Sequence, residues 1–233
     1  MASTNTDIAE NIKRVRAVIG EAAAASGRSP GDITLVAASK TKPAGIVREA
    51  IAAGVDAVGE NRVQEMLMKN SQGAYAGAPL HFIGHLQSNK VNKVVGLCTL
   101  IESVSSPELI GLIGKTAASL NITQNVLIEI NIGREPQKSG IFPEQAEEVF
   151  ELASRTKGIN VLGLMSVPPI NEKNEKNCYY FDAIFQLFVD MKGKKYDNVT
   201  MKFLSLGMSD SYAEAIRAGS NMVRIGSAIF GAR

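Results

Sequence analysis

A lysine ends an apolar run near the start of the chain, in the stretch LVAASKTKP at residues 35–43. Side chains alternate along a strand, so Val36, Ala38 and Lys40 share one face, and the small alanine leaves space beneath the lysine. Burial lowers the pKa of a lysine, which makes its amine a nucleophile suited to forming a Schiff base with an aldehyde. Lys42 has the same parity but precedes a proline, which favours an extended loop, so we favour Lys40. The alternative is a lysine that extends from the strand end to solvent.

Two clusters of small and hydroxyl-bearing residues near the C-terminus have the composition of a phosphate site. Ser209 comes just before the segment SYAEA, in which Ser211 and Glu214 have the spacing of a helix capping box. The start of such a helix presents unpaired backbone N–H groups and the positive end of the helix dipole, which suit phosphate. Gly226 lets the backbone approach an anion closely, and Ser227 adds a hydroxyl donor. The alternative is ordinary helix capping with small-residue packing.

An arginine lies close to this second cluster. Arg224 is two residues before Gly226 in an apolar run, so the two point the same way. An arginine on the inner face of a strand needs a partner. It is either a permanently charged donor aimed at a ligand or one half of a salt bridge to a strand glutamate such as Glu102 or Glu129.

The histidines and cysteines do not form a metal-binding pattern. His81 and His85 are four residues apart, which on a strand is about 13 Å, too far for one ion. We expect His85 to line a pocket and His81 to be structural. Cys98 and Cys178 are far apart in sequence and indicate neither a disulfide framework nor a zinc site.

Eight apolar runs alternate with helical patterns and must position these side chains. Strands that alternate with helices predict parallel βαβ units, and continuous apolar runs predict a sheet covered on both faces. We predict an α/β fold, a closed (β/α)8 TIM barrel, with a doubly wound open sheet as the alternative. Chemistry in such a barrel sits where strands end. The runs are at 33–40, 56–61, 80–85, 99–106, 125–133, 159–167, 202–210 and 221–231.

An extra helix is predicted before the first strand, over about 7–26. Apolar residues of this segment share one helical face, Asp7 has the spacing to cap its start with Glu10, and Gly27 can end it. The apolar residues of that face are Ile8, Ile12, Val15 and Ile19.

Length and composition limit the class of protein. The 233 residues, 45% of them hydrophobic, are enough for one large core, so we expect a single domain over 1–233. A net charge of +2 and an aromatic content of 6% without tryptophan argue against nucleic acid as the main partner. The polar N-terminus lacks a signal-peptide core, and no apolar stretch is long enough for a membrane helix. We therefore expect a cytoplasmic protein with no membrane partner.

Six motifs follow one another along the chain: AASKTKP, GENRVQE, HFIGHLQSNK, INIGREPQKSGI, GLMSV and LSLGMSDSYAEAIRAGSNMVRIGSAIFGAR. Together and in this order they resemble the pyridoxal-phosphate homeostasis proteins, from about Asp7 to the C-terminus. The resemblance implies a barrel like the N-terminal domain of alanine racemase, the fold type III of enzymes that use pyridoxal 5′-phosphate (PLP). It also implies that Lys40, in the SK motif, holds PLP as a Schiff base.

The same resemblance implies the other contacts of the cofactor. Phosphate contacts would come from Ser209, Gly226 and Ser227, with Ser205 and Met208 nearby. Arg224 would face the pyridine nitrogen. The ring pocket would be lined by Asn61, His85 and Met165. Lys138, in the QKSGI stretch, is either a second PLP contact or a solvated loop lysine.

These expectations favour a carrier over an enzyme. An arginine cannot accept the pyridine proton, so it keeps that nitrogen neutral and weakens the ring as an electron sink. The resemblance implies that racemases of this fold type use a second, β-rich domain with a catalytic tyrosine, and we expect neither because Arg233 follows the eighth strand directly.

We therefore expect a PLP-binding protein of intracellular PLP homeostasis, with little or no turnover of its own. PLP-dependent apo-enzymes are its expected partners, and we expect a monomer or weak homodimer. The alternatives are a PLP-dependent amino-acid racemase-like enzyme, a Schiff-base aldolase acting on sugar phosphates and a purely structural barrel.

Overall fold

Eight parallel strands pair in sequence order and close into a barrel, so the TIM-barrel prediction is confirmed and the open sheet is excluded. The structure, a computed structural model, describes residues 7–169 and 175–231, without the side chains of 175–178. Each strand lies within or close to one of the eight apolar runs. The strands are β1 (Thr34–Ala38), β2 (Ala57–Glu60), β3 (Leu80–Phe82), β4 (Leu100–Val104), β5 (Gln124–Ile130), β6 (Ile159–Ser166), β7 (Val199–Ser205) and β8 (Met222–Ile225).

Helices follow the strands and cover the outside of the barrel. Short 3-10 turns lie just before three of these elements. Pro30–Asp32 precedes β1, Ser88–Lys90 precedes the helix that begins at Val91, and Pro143–Gln145 precedes the helix that begins at Ala146. The α-helices are α1 (Ile8–Ala25), α2 (Ala44–Ala52), α3 (Val63–Ser71), α4 (Val91–Val94), α5 (Pro107–Ser119), α6 (Ala146–Arg155), α7 (Glu175–Gly193), α8 (Tyr212–Arg217) and α9 (Ser227–Phe230).

The extra N-terminal helix is present as α1 and has the expected ends. The Asp7 side chain accepts from the backbone N–H of Glu10 at 2.9 Å, which satisfies one of the first-turn donors. The chain leaves the helix at Gly27, whose φ of +69° is the left-handed conformation that glycine tolerates. Asn11 donates from its side chain to the carbonyl of Ile229, which ties α1 to α9.

Two apolar layers fix the direction in which each strand residue points. Along β1, Leu35 and Ala37 pack in the layer between strands and helices, whereas Val36 packs inside the barrel. This alternation means that even-numbered residues of β1 face the interior. The buried residues of the interior layer are Val36, Ala57, Leu100, Leu127, Met165 and Met222.

The barrel is paired unevenly around its circumference. Strands β1 and β8 share four ladder pairs, from Thr34–Met222 to Ala37–Ile225. Strands β7 and β8 share only the pair Ser205–Met222. This junction has the fewest register pairs, although backbone hydrogen bonds from Leu206 to Met222 and from Arg224 to Gly207 also join the two strand ends.

Two sequence expectations concern absences. Within 7–169 and 175–231, no helix is long and apolar enough to cross a membrane. Over the same residues, no group of three or more histidine, cysteine and acidic side chains could hold a metal ion. The side chain of Cys178 lies outside the described residues, and Cys98 is buried with a free thiol.

Candidate functional site

A cavity of about 410 Å³ opens where the strands end, as expected for a barrel of this kind. Its volume lies in the range of small-molecule sites. The lining comes from the ends of β1, β2, β3, β6, β7 and β8. The described residues that line it are Ala38, Lys40, Thr41, Lys42, Asn61, Ile83, Val167, Met208, Ser209, Asp210, Arg224, Gly226, Ser227, Phe230 and Gly231.

Lys40 lines this cavity from the turn that follows β1. The alternation that puts Val36 inside the barrel carries through Ala38 to Lys40, while Ser39 between them is fully buried on the opposite side. Lys42 also lines the cavity, so strand parity alone does not separate the two lysines. The amine of Lys42 donates to the carbonyl of Phe230 at 3.1 Å.

Backbone donors converge beside the lysines at the start of α9. The N–H groups of Gly226 and Ala228 both donate to the hydroxyl oxygen of Ser209, at 3.3 and 3.2 Å. An oxygen of an anion can be held in the same way, because backbone N–H groups that point at one spot favour negative charge. Ser209, Gly226 and Ser227 all line the cavity.

The source of these donors differs from the prediction. In the described part of the chain no side chain caps α8, because the Ser211 hydroxyl instead accepts from the N–H of Met208 at 3.3 Å, so the capping-box prediction was wrong. The run at 221–231 is also not one strand. It ends as a strand at Ile225 and continues as α9, which supplies the donors.

Arg224 belongs to a group of polar side chains inside the barrel, which we call the inner cluster: His81, Glu102, Ser205 and Arg224. The guanidinium donates to the Ser166 carbonyl at 2.9 Å and to the Ser205 hydroxyl, and it lies 3.8 Å from a Glu102 oxygen. Ser205 donates to Glu102 at 2.6 Å. The two alternatives for Arg224 are therefore combined, since the same side chain lines the cavity and pairs with a strand glutamate.

The charges of the inner cluster support one another. Burial alone would raise the pKa of Glu102, but the hydrogen bond and charge of His81, the charge of Arg224 and the Ser205 hydroxyl together hold it below its usual value. Burial lowers the pKa of Arg224, and Glu102 and Glu129 partly oppose this. A guanidinium keeps its charge through such a shift.

A second carboxyl faces Arg224 from β5. Burial raises the pKa of Glu129 to about 7, although the charge of Arg224 acts in the opposite direction. Its Oε2 atom has no hydrogen-bond partner among the described residues. Glu129 therefore gains and loses a proton near neutral pH, next to the arginine that lines the cavity.

The remaining predicted residues divide between the cavity and its surroundings. Asn61 lines the cavity, and its buried Oδ1 has no hydrogen-bond partner in the described part of the chain. His85 lies outside the described lining set and shares a 2.8 Å hydrogen bond with Ser139. Met165 packs in the interior apolar layer, and Ser205 lies outside the described lining set but accepts a hydrogen bond from the lining residue Arg224.

Lys138 is held by protein groups next to the cavity. Its amine donates to the carbonyls of Val167 and Pro168, at 3.3 and 3.1 Å, and pairs with Glu135. Its side chain is 28% exposed, so it is not a freely solvated loop lysine. It lies outside the described lining set, although its partner Val167 belongs to that set.

Sequence reasoning missed a buried polar group behind Lys40, which we call the outer cluster: Ser39, Glu60, Lys69 and Tyr75. The amine of Lys69, only 1% exposed, donates to Glu60 at 2.6 Å, and the hydroxyls of Ser39 and Tyr75 donate to the same carboxylate oxygen. Burial and the nearby Glu60 charge raise the pKa of Tyr75. The signal was available, because Val63, Met66 and Lys69 share one face of α3.

The chain matches known proteins along nearly its whole length. The family described as alanine racemase, N-terminal domain, matches residues 6–233. A pyridoxal phosphate homeostasis protein of Aquifex aeolicus is 40% identical over 224 residues, which cover 96% of this chain and 97% of that protein. The structure of PipY from Synechococcus elongatus with PLP bound has a TM-score of 0.83 at 26% identity, covering 97% of this chain and 100% of that one. An alanine racemase of Clostridium difficile, at 17% identity and a TM-score of 0.78, shares the fold over 97% of this chain and 57% of its own.

Proposed function

This chain belongs to the family of pyridoxal phosphate homeostasis proteins, and from that premise we propose that it binds PLP in the cavity and acts in the homeostasis of this cofactor. One observation carries the proposal. A lysine, a group of backbone donors with hydroxyls, and a buried arginine all meet in one cavity of suitable size.

The residues present fit PLP. Among the described lining residues, Lys40, Lys42 and Arg224 are cationic and Asp210 is a carboxylate, a balance that suits a phosphate dianion. The buried Oδ1 of Asn61, which has no hydrogen-bond partner within the described residues, can accept a hydrogen bond from a ring substituent. When bound, PLP supplies an aldehyde carbon and a pyridine ring that accepts electrons once its nitrogen is protonated.

We assign a separate task to each group of residues. The Lys40 amine is the nucleophile for the aldehyde, and Ser209, Gly226 and Ser227 hold the phosphate. Arg224 would donate to the pyridine nitrogen, and Ser205 and the Ser166 carbonyl hold its guanidinium in place. His85 and Met165 would act from behind the lining residues.

This assignment supports a carrier with little turnover. Arg224 cannot accept a hydrogen bond from a protonated pyridine nitrogen, so it favours the neutral ring, in which a carbanion would gain little stabilisation. The described lining residues include no tyrosine or histidine, and the amine of Lys42, a further candidate base beside Asp210, is held by the carbonyl of Phe230. A racemase-like enzyme is the second candidate, because the fold is that of the alanine racemase N-terminal domain.

We propose that the protein exchanges PLP with apo-enzymes that need this cofactor. Met208 lines the cavity and is 38% exposed, so the cavity wall reaches the surface there. The unit that carries this function would be one PLP-binding domain over 1–233, working in the cytoplasm as a monomer or weak homodimer.

The decisive experiment is an absorbance spectrum of the purified protein with added PLP, before and after borohydride reduction. We expect a yellow protein whose cofactor borohydride fixes to Lys40, because a reduced lysine adduct is stable to denaturation. Lys40→Ala should lose all of the fixed cofactor. Lys42→Ala, a matched change in the same cavity, should retain fixation on Lys40.

Two results would contradict the proposal. A chain that stays colourless with PLP would remove the cofactor and leave the aldolase alternative. Turnover of alanine or serine at ordinary enzyme rates, abolished by Lys40→Ala, would favour the racemase-like enzyme.

A further inference from the structure

Helix α3 holds the chain on both sides of Lys40. The carbonyl of Ser39, the residue before the lysine, accepts from the Lys69 amine at 2.8 Å. The N–H of Thr41, the residue after it, donates to a carboxylate oxygen of Glu65 at 3.1 Å. Glu65 and Lys69 are four residues apart on α3 and so lie on one face of that helix. The backbone that carries the lysine is therefore fixed from the side opposite to the cavity.

The backbone just before Lys40, at Ser39, is held by buried groups. Ser39 is fully buried, its N–H donates to the carbonyl of Gly59 at 3.0 Å, and its hydroxyl donates to Glu60 at 2.5 Å. The Ser39 carbonyl accepts from the N–H of Lys42 as well as from Lys69. Every polar group of Ser39 thus has a partner, and Glu60 and Lys69 supply the charged ones.

The backbone just after Lys40, at Thr41, has a strained conformation that must be stabilised by surrounding contacts. Thr41 has a φ of +66°, in the left-handed region that a β-branched residue rarely adopts. Such a conformation persists when surrounding contacts determine it, and it is common at functional sites. The bond to Glu65 is one such contact, and it fixes the N–H of the strained residue itself.

The contribution of the buried ion pair between Glu60 and Lys69 to the free energy of folding does not by itself explain its presence. Both side chains are at most 1% exposed, and an apolar pair of similar volume is often as stable as a buried ion pair. The location of the ion pair explains it better, because the same Lys69 amine also binds the Ser39 carbonyl, next to Lys40. A charged, directional contact defines a backbone position more narrowly than apolar packing does.

We propose that Glu60, Glu65 and Lys69 are positioning residues, which act through the backbone of Ser39 and Thr41 to aim the Lys40 amine into the cavity. The proposal rests on the proposed function, since it concerns the bond between Lys40 and the PLP aldehyde. It assigns these residues no contact with the phosphate, which is held on the opposite wall by the loops after β7 and β8.

The test follows the appearance of the PLP chromophore on mixing the full-length protein, freed of cofactor, with increasing PLP. The concentration that gives half the maximal rate reports initial binding, and the maximal rate reports formation of the bond to Lys40. We expect Glu65→Leu and Lys69→Met to lower the maximal rate about tenfold, because small misplacements of a nucleophile have effects of this size or larger. The half-saturating concentration should change less than about twofold.

Rescue and a second measurement separate positioning from general damage. Glu65→Gln keeps an oxygen that can accept from Thr41 and should restore most of the rate. Amide hydrogen exchange of residues 39–42, measured without PLP, should be faster in Glu65→Leu than in the parent and in Glu65→Gln. Ile113→Val, a buried change on α5 far from the turn, controls for loss of stability and should leave rate and exchange unchanged.

The outcomes are distinct. If the parent protein forms no chromophore, the proposed function fails. If the parent forms it and Glu65→Leu forms it at the parental rate, the positioning role is overturned whatever the exchange result. Glu65 is only half-buried, so this variant tests the proposal even if Lys69→Met does not fold.

Discussion

The inner and outer clusters both bury a glutamate beside a cation, but on opposite sides of the barrel wall. In the inner cluster the cation, Arg224, lines the cavity directly. In the outer cluster the cation, Lys69, contacts the backbone of the strand end that precedes Lys40. One cluster therefore presents charge to the cavity, and the other contacts the backbone beside Lys40.

The two clusters also differ in how they respond to protons. Glu129 adds to the inner side a carboxyl whose pKa is raised to about 7, so the charge around Arg224 changes near neutral pH. On the outer side, burial and the Glu60 charge raise the pKa of both Tyr75 and Cys98, which keeps these groups neutral at that pH. The comparison teaches that a buried charge can affect a site in two ways, by facing the cavity directly or by contacting the backbone that carries a lining residue.

The largest effect should come from breaking the inner cluster. Glu102→Leu removes the acceptor of His81 and Ser205 and the ion-pair partner of Arg224, and leaves the buried guanidinium to Glu129. We expect the free energy of unfolding to fall by about 3–5 kcal/mol, the usual result of removing one partner of a buried pair. Urea unfolding measures this loss.

A double variant tests why Glu102→Leu lowers the free energy of unfolding. Glu102→Leu combined with Arg224→Met should recover little stability, because His81 and Glu129 remain in the barrel with fewer partners. Full recovery would mean that the inner cluster is a simple pair, as interchangeable as the outer one is expected to be.

The next effect is the pH dependence that Glu129 gives to stability. Its pKa is raised from 4.5 to about 7 on folding, so between these values the folded state holds a proton that the unfolded state has lost. Stability from this group is complete below pH 4.5 and declines as pH rises towards 7. At about 1.4 kcal/mol per pKa unit, the change is at most about 3.5 kcal/mol.

Glu129→Gln isolates this contribution because it cannot titrate. Unfolding of parent and variant should be compared at several pH values between 4.5 and 7.5. The parent should lose stability relative to Glu129→Gln as the pH rises. A constant difference across that interval would show that the carboxyl titrates at its ordinary value and that the inner cluster is no more pH-sensitive than the outer one.

The smallest effect is expected from removing the outer ion pair entirely. Glu60→Leu combined with Lys69→Met should be more stable than either single variant and within about 2 kcal/mol of the parent, since the hydroxyls of Ser39 and Tyr75 keep weaker carbonyl acceptors. Thermal unfolding of the three variants measures this. A double variant less stable than both singles would mean that the pair is needed for folding itself.

Much of the fold was predictable because the barrel repeats one simple pattern. Each apolar run encodes a strand, and alternation within LVAAS correctly placed Lys40 on the side of Val36, in the cavity lining. The end of β8 was less predictable. The run at 221–231 is apolar throughout, so hydrophobicity alone could not separate the strand from the short helix after Ile225.

The site was predictable in its side chains and less so in its backbone. Lys40, Arg224 and Ser209 line the cavity, where the ends of their strands predicted them to lie. The convergence of N–H groups on Ser209 depends on the turn from β8 into α9, which no single residue encodes. The outer cluster depends on a contact between residues 39 and 69, which belong to different elements, and pattern reasoning treats elements one at a time.

The sparse pairing between β7 and β8 has a consequence for how binding and folding are linked. Ser209 follows one of these strands, and Gly226 and Ser227 follow the other. A phosphate held by all three would bridge the junction with the fewest register pairs, and its binding free energy would add to that of keeping the barrel closed. Release of the ligand and local opening of this junction would then be thermodynamically coupled, so a partner that loosens the junction would also lower the affinity for the ligand.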